Sequence, residues 1–208
     1  MAKIKNVQKV TDNPFVNLYN LDVEDRKGHP FKYYLASRKK SVETLELSTH
    51  EQHPDGVIIY SLYGEKRDRV VLIRQYRYPI NNYMYEFPAG LVEPGEDYRE
   101  AAVRELREET GLTLHPVDTG CYSRPFYMSA GLTDECCGTV FGYADGEIRN
   151  DLIEDTEELE VVIADRDEVR RILREERVAI MCAYMLMHFL KDEEPFSFLN
   201  CREGADEK

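Results

Sequence analysis

Apolar and polar positions alternate in short runs over most of the chain, and turn-forming residues bound the runs. VNLYNLDV (16–23), PFKYYLAS (30–37) and ETLEL (43–47) each alternate in part and carry strand-forming residues, so each is predicted to be a strand. DRKGHP and SRKKS between them are turn chemistry. THEQHPDG (49–56) reads as a loop and sets a boundary. The expected organisation is a small N-terminal antiparallel β unit over 1–50 and a larger domain over 51–208.

Beyond the boundary the pattern stays strand-rich. VIIYSLY (57–63) and RVVLIRQY (69–76) are β-branched runs joined by GEKRD, a hairpin-like link. YMYEFPAG (83–90), GTVFGYAD (138–145) and LEVVIAD (159–165) are further strand candidates. Helical spacing is clear twice. One helix is predicted from Tyr98 to Thr110, closed by Gly111 as its C-terminal cap. The other helical region covers 167–190, with a break near Arg177. Strands, one helix, more strands and terminal helices in that order imply an α/β (α+β) sandwich.

A chain of 208 residues with 42% hydrophobic content can bury a core. Its net charge of −13 argues against nucleic acid or an anionic membrane as a partner, because both need a basic surface. The start, MAKIKNVQKV, is charged and no apolar run follows it, so no signal peptide is expected. The longest apolar run, 178–190, is too short to span a bilayer and reads as a buried helix. The five cysteines, with no CxxC, read as reduced thiols in a cytoplasmic protein. Cys136 and Cys137 are expected to be strand packing, and His50 and His53 a surface loop.

The candidate chemistry lies in GLVEPGEDYREAAVRELREETGL (90–112), which holds six Glu and one Asp. Like charges three and four residues apart on a helix repel by a few tenths of a kcal/mol per pair, roughly. At about 100° per residue Glu105, Glu108 and Glu109 fall in one sector, and Ala102, Val103 and Leu106 in another that can pack on a sheet. A divalent cation would remove the repulsion, and oxygen-only ligation selects hard ions such as Mg²⁺ or Mn²⁺. Glu96 can lean in from the loop before the helix, and Arg104 can pair with Glu108. EFPAGLVEPG, with two Pro and two Gly, is a rigid loop able to present backbone carbonyls.

The spacing is Gly90, five residues, Glu96, seven residues, Arg104-Glu105-Leu106, one residue, Glu108-Glu109, one residue, Gly111-Leu112. It resembles the signature of Nudix hydrolases at every defining position. The resemblance implies a Nudix-type α/β/α sandwich with a mixed sheet. It also implies Mg²⁺-dependent hydrolysis of a nucleoside diphosphate linked to a second group. Glu105, Glu108 and Glu109 match the metal site, with Glu96 and the Ala89 carbonyl as further ligands, and Arg104 is the partner of the acids.

Other segments resemble the ADP-ribose pyrophosphatase branch. Arg77 stands at that branch's arginine position, with Arg74 beside it, and Arg suits phosphate oxygens. SAGLTDE (129–135) matches its post-box loop at Gly131, Thr133 and Glu135, whereas Ala130 replaces the usual Pro. The branch implies a homodimer built by the N-terminal unit and aromatics that stack on the base. Phe15, Tyr19, Phe31, Tyr33 and Tyr34 are the available rings. The general base is expected in GEIRNDLIEDTEELE (146–160), where Glu154, Asp155, Glu157 and Glu158 are open and alignment favours Glu157, then Glu154. The leading expectation is cleavage of ADP-ribose to AMP and ribose 5-phosphate. ADP-glucose, GDP-mannose or UDP-glucose as substrate, or a non-catalytic sugar-nucleotide sensor, are the alternatives.

Overall fold

The computed structural model describes residues 2–118, 124–153 and 157–199. Two compact units are present, Met1–Asp55 with Pro125–Cys137, and Gly56–Arg124 with Gly138–Lys208. The segment 125–137 joins the N-terminal unit because its backbone is bonded there: the Ala36 amide donates to the Leu132 carbonyl at 2.9 Å.

In the first unit, β1 (Lys3–Lys9), β2 (Asn17–Glu24) and β3 (Pro30–Ser37) form an antiparallel sheet. Asp25 turns the chain between β2 and β3 by accepting from the Lys27 and His29 amides, with Gly28 at φ +88°. Alternation puts Tyr19, Leu21 and Leu35 on one face, where they bury Leu45. ETLEL, predicted as a strand, is instead a 3-10 turn (Val42–Thr44) followed by a short helix, α1 (Glu46–Thr49). Leu45 serves the core from beneath the sheet, and Val42, three residues earlier, packs with it, so the apolar spacing is that of a turn. A two-residue strand, β9 (Phe126–Tyr127), pairs with Cys137 and Cys136.

The second unit holds β4 (Gly56–Tyr63), β5 (Arg69–Arg77), β6 (Asn82–Glu86), β7 (Ala89–Leu91), β8 (Thr113–Pro116), β10 (Cys136–Asp145, from Gly138 on) and β11 (Leu159–Ala164). Its mixed sheet runs β11-β5-β4-β10-β8, with β6 against β5 and β7 against β4. β4 and β5 pair only at their shared hairpin, through Leu62↔Val70 and Tyr63↔Arg69. Farther along, β6 lies on β5 and β7 on β4, which brings Ala89 and Gly90 opposite Ile58 and Val57.

Helices cover both faces. Val57, Ile59 and Val71 pack with Ala101, Ala102 and Leu106 of α2 (Tyr98–Thr110). On the reverse face, Tyr60 meets Phe87, Phe141 and Phe196 at centroid distances of 5.0, 6.0 and 5.3 Å. There α3 (Arg166–Glu175) reaches Tyr85 through Arg171, and α4 (Ile180–Lys191) buries Cys182, Leu186 and Phe189. The break between α3 and α4 falls at Glu176–Ala179, where the Ala179 amide donates to the Tyr85 carbonyl. The unit is thus a three-layer α/β/α sandwich. Among the described residues no helix is long and apolar enough to cross a membrane.

Cys136, Cys137 and Cys182 are free and buried. Burial raises the thiol of Cys136 to about 11 and that of Cys137 to about 12. Cys121 and Cys201 lie outside the described residues. His50, in a left-handed cap at φ 57°, and His53, beside Glu51, are both exposed.

Candidate active site at the acidic helix

Helix α2 starts where the Asp97 side chain accepts from the Arg99 amide and stops at Gly111, whose φ of 75° is the left-handed cap conformation. Loop and helix are locked together by Arg104. Its Nε donates to Glu96 Oε1 at 3.0 Å and its Nη2 to Glu96 Oε2 at 3.0 Å. Nη1 donates to Glu105 at 2.7 Å and to Glu108 at 3.0 Å, and Nη2 also holds the Leu91 carbonyl at 3.0 Å. The guanidinium thus ties together three acids and the strand before the helix, a use of the planar fork that lysine cannot reproduce.

Gly90 is what lets that strand approach. A Cβ built there would lie 1.9 Å from Glu105 Cδ. Glu105 is mostly buried, and burial raises its carboxyl above the usual range, against the pull of Arg104.

Glu109 departs from the sequence reading. It is 2% exposed, and it shares the buried side of α2 with Ala101, Ala102 and Leu106. Val103, expected on the core face, is 39% exposed. The acid and core faces are not separate: seven residues of helix return within roughly 20° of the starting direction, so Glu109 lies almost over Ala102. Glu109 Oε2 accepts from the Ala89 amide at 3.1 Å. Burial pushes its carboxyl well above the usual range, the charges of Glu157 and Glu105 add to that, and Ala89 and Arg77 oppose it.

Strand alternation sorts the remaining residues. Val71 faces α2, so Arg77 of the same strand and parity does too. Arg77 Nε donates to Glu86 at 2.6 Å. Arg74 has the opposite parity and does not join the acids. Its guanidinium lies 4.2 Å over the Tyr83 ring and 3.9 Å from Glu160. Glu157 is brought to Glu105 and Glu109, whose carboxyls its charge raises. Glu154 and Asp155 lie outside the described residues. Gly131, Thr133 and Glu135 are tied within the first unit. The Gly131 carbonyl accepts from Tyr33 at 2.6 Å, Thr133 Oγ1 accepts from the Glu135 amide, and Glu135 accepts from Arg38 at 2.6 Å. Of the candidate stacking rings, Tyr19 is fully buried with its hydroxyl on the Lys39 carbonyl, while Phe15, Phe31, Tyr33 and Tyr34 are exposed.

The donors suit a hard cation. Glu86, Glu96, Glu105, Glu108, Glu109 and Glu157 offer only oxygen, and Arg77 and Arg104 cannot neutralise six carboxylates. Among the described residues no three acids already form a cation cage, because Arg104 stands between Glu96, Glu105 and Glu108. Of these acids Glu105, Glu108 and Glu109 lie together on α2, and they are the ones that would hold a cation.

The sequence description of the NUDIX domain matches residues 52–183. A methanol dehydrogenase activator from Bacillus methanolicus is 30% identical over 145 residues, covering 69% of this chain and 75% of the relative. An ADP-ribose pyrophosphatase from Bacillus subtilis is 30% identical over 128 residues, covering 62% of this chain and 58% of the relative. The chain therefore spans three-quarters of one and less than two-thirds of the other. A crystal structure of an ADP compounds hydrolase superposes with a TM-score of 0.60 at 22% identity, covering 84% of this chain and 83% of that one. That likeness concerns the fold. With the domain match extending over more than half of its length, the chain belongs to the Nudix family.

Proposed function

We propose that the chain is a divalent-cation-dependent hydrolase that splits the diphosphate of a nucleoside diphosphate sugar, with ADP-ribose as the first substrate and AMP and ribose 5-phosphate as products. The observation that carries this reading is the buried carboxylate of Glu109, set against Glu105 and Glu157 on the sheet face that also carries Arg77. A protein that only needed an acidic surface would leave these groups in water. The ADP-ribose assignment is supported by the named relative and by the branch likeness of Arg77 and the 129–135 loop.

Glu105, Glu108 and Glu109 would hold Mg²⁺, with Glu96 and the Ala89 carbonyl beside them; Mn²⁺ suits the same oxygens. The cation, when bound, neutralises phosphate oxygens and lowers the pKa of water. The chain's own residues do the rest. Glu157 accepts a proton from the attacking water as the water oxygen bonds to phosphorus and the bridging oxygen leaves with the second phosphate. Arg77 orients the diphosphate, its guanidinium exchanging Glu86 for phosphate oxygen. Arg104 keeps the acids in register.

Ala130, in place of the branch's Pro, favours a second reading in which another sugar nucleotide fills the pocket. A homodimer through the N-terminal sheet is supported by the exposed Leu18, Phe31 and Tyr34 on that sheet. Cytoplasmic residence is supported by the free buried thiols.

The test is a panel of ADP-ribose, ADP-glucose, GDP-mannose, UDP-glucose, NADH and diadenosine polyphosphate, each with Mg²⁺, with Mn²⁺ and with chelator. Cation-dependent AMP release fastest from ADP-ribose is the expected result. Preference for another sugar nucleotide would move the assignment to the second reading. Absence of turnover on every compound would sink the hydrolase reading in favour of a sensor.

A further inference from the structure

Glu157 stands two residues before β11, close to two acids that repel it. The β11–β5 ladder, which pairs Leu159 with Gln75, runs one step further: the Tyr76 amide donates to the Glu158 carbonyl at 2.9 Å. Tyr76 in turn lies opposite Tyr83 of β6. Glu158, Tyr76 and Tyr83 therefore form one row across three strands, with side chains on the same face.

That row is tied end to end. The Tyr83 hydroxyl reaches over Tyr76 and donates to Glu158 Oε1. The rings of Tyr76 and Tyr83 meet edge to face at 5.4 Å, and Tyr76 donates its own hydroxyl to Asn81. Arg74 closes the other side, over the Tyr83 ring and near Glu160. Position 157 has the opposite parity, shared with Val161 and Ile163, which pack in the cluster holding Ala101, Ala102 and Leu106 of α2.

We propose that Tyr83 is a positioning residue: by holding the Glu158 carboxylate on one face of the sheet, its hydroxyl fixes Glu157 on the other, against Glu105 and Glu109. Tyr83 lies on the sheet face opposite Arg77 and the acids of α2. The clasp adds a side-chain bond to the backbone bond between the Tyr76 amide and the Glu158 carbonyl, so the segment is tied to the sheet at Glu158 through both. The catalytic consequence rests on the hydrolase reading, whereas the clasp itself rests on the register.

The experiment compares the unaltered chain with Tyr83→Phe, Glu158→Ala and the double variant. Amide exchange at Tyr76 is followed in the cation-free protein, and kcat and KM are measured with ADP-ribose and Mg²⁺. The clasp predicts exchange at Tyr76 about tenfold faster in Tyr83→Phe. It predicts kcat lower by about tenfold with KM within about twofold, because the proton acceptor is displaced while the substrate contacts remain. Glu158→Ala should match it, and the double variant should lose no more than either alone. Unchanged exchange at Tyr76 in Tyr83→Phe, or losses in kcat that multiply in the double variant, would overturn the proposal. If the unaltered chain turns over nothing, the hydrolase reading has failed, and the exchange measurement alone decides whether the clasp exists.

Discussion

Gly90 and Glu105 lie so close that a single methyl group on Gly90 would overlap the Glu105 carboxylate, with 1.9 Å from Cβ to Cδ. The overlapped atoms are the end of a side chain, which can move. Gly90→Ala should therefore fold, with a melting temperature within a few degrees of the parent, roughly. Its cation-dependent turnover should fall by about a hundredfold, because Glu105 is driven out of place. Parent-like turnover would show that Glu105 does not need the position it occupies.

Glu109 is an acid placed in a core. Glu109→Gln keeps its shape and its bond from the Ala89 amide while removing the charge. Turnover should drop by about two orders of magnitude or more. Without cation the variant should melt at or above the parent temperature, since an uncompensated buried charge has gone. A variant that is both fully active and less stable would contradict the placement of Glu109.

The same residue sets a pH dependence. Its carboxyl is raised well above 4.5 in the folded protein. Between the unfolded and folded values the folded state binds the extra proton, so its stabilising contribution is complete below the unfolded value and is lost as pH rises through the folded one. Glu105, also raised, acts in the same direction. Glu96, lowered chiefly by Arg104, acts oppositely, losing its contribution only as pH falls below the usual carboxylate range. In chelator, thermal stability should decline as pH rises above the usual carboxylate range, and Mg²⁺ should flatten the decline by favouring the ionised acids. A chelator curve that instead rises with pH above that range would refute the assignment.

Arg104 and Lys are not equivalent here. Arg104→Lys keeps the charge but cannot hold Glu96, Glu105, Glu108 and the Leu91 carbonyl together. A stability loss of about 1–2 kcal/mol is expected, read by denaturant titration, together with a fall in turnover.

Arg74 and Arg77 of β5 should separate by face. Arg77→Ala should raise KM for diphosphate substrates by about tenfold, whereas Arg74→Ala should leave KM nearly unchanged. Equal effects on KM would mean that strand parity does not divide them.

The helix at the site was legible in the sequence: the expected span, Tyr98 to Thr110 closed by Gly111, is the observed one, whereas the Asp97 cap that starts it was not read. The break near Arg177 was legible as well, and it falls between α3 and α4. β1 was not. KIKNVQK has too few apolar residues to alternate, because most of this edge strand is exposed. TLHP is too short to carry a period, and it becomes β8 only by pairing with β10. Within the site, the spacing of the acids was readable. The burial of Glu109 was missed because the acids were grouped by charge, although helical angle alone sets Glu109 within roughly 20° of buried Ala102. Glu157 and Glu158 are indistinguishable by composition; the register of β5 against β6 and β11 sends them to opposite faces.

That register sends two identical side chains to opposite faces of the sheet. Neighbouring positions in a strand face opposite sides of the sheet, so slipping β11 by one residue against β5 would turn Glu158 toward the helix and Glu157 toward Tyr83. What separates the two is thus stored in chain length, not in residue identity. Substituting either glutamate edits one group, while inserting or deleting a single residue in the 157–159 stretch would exchange both without altering the chemistry of either.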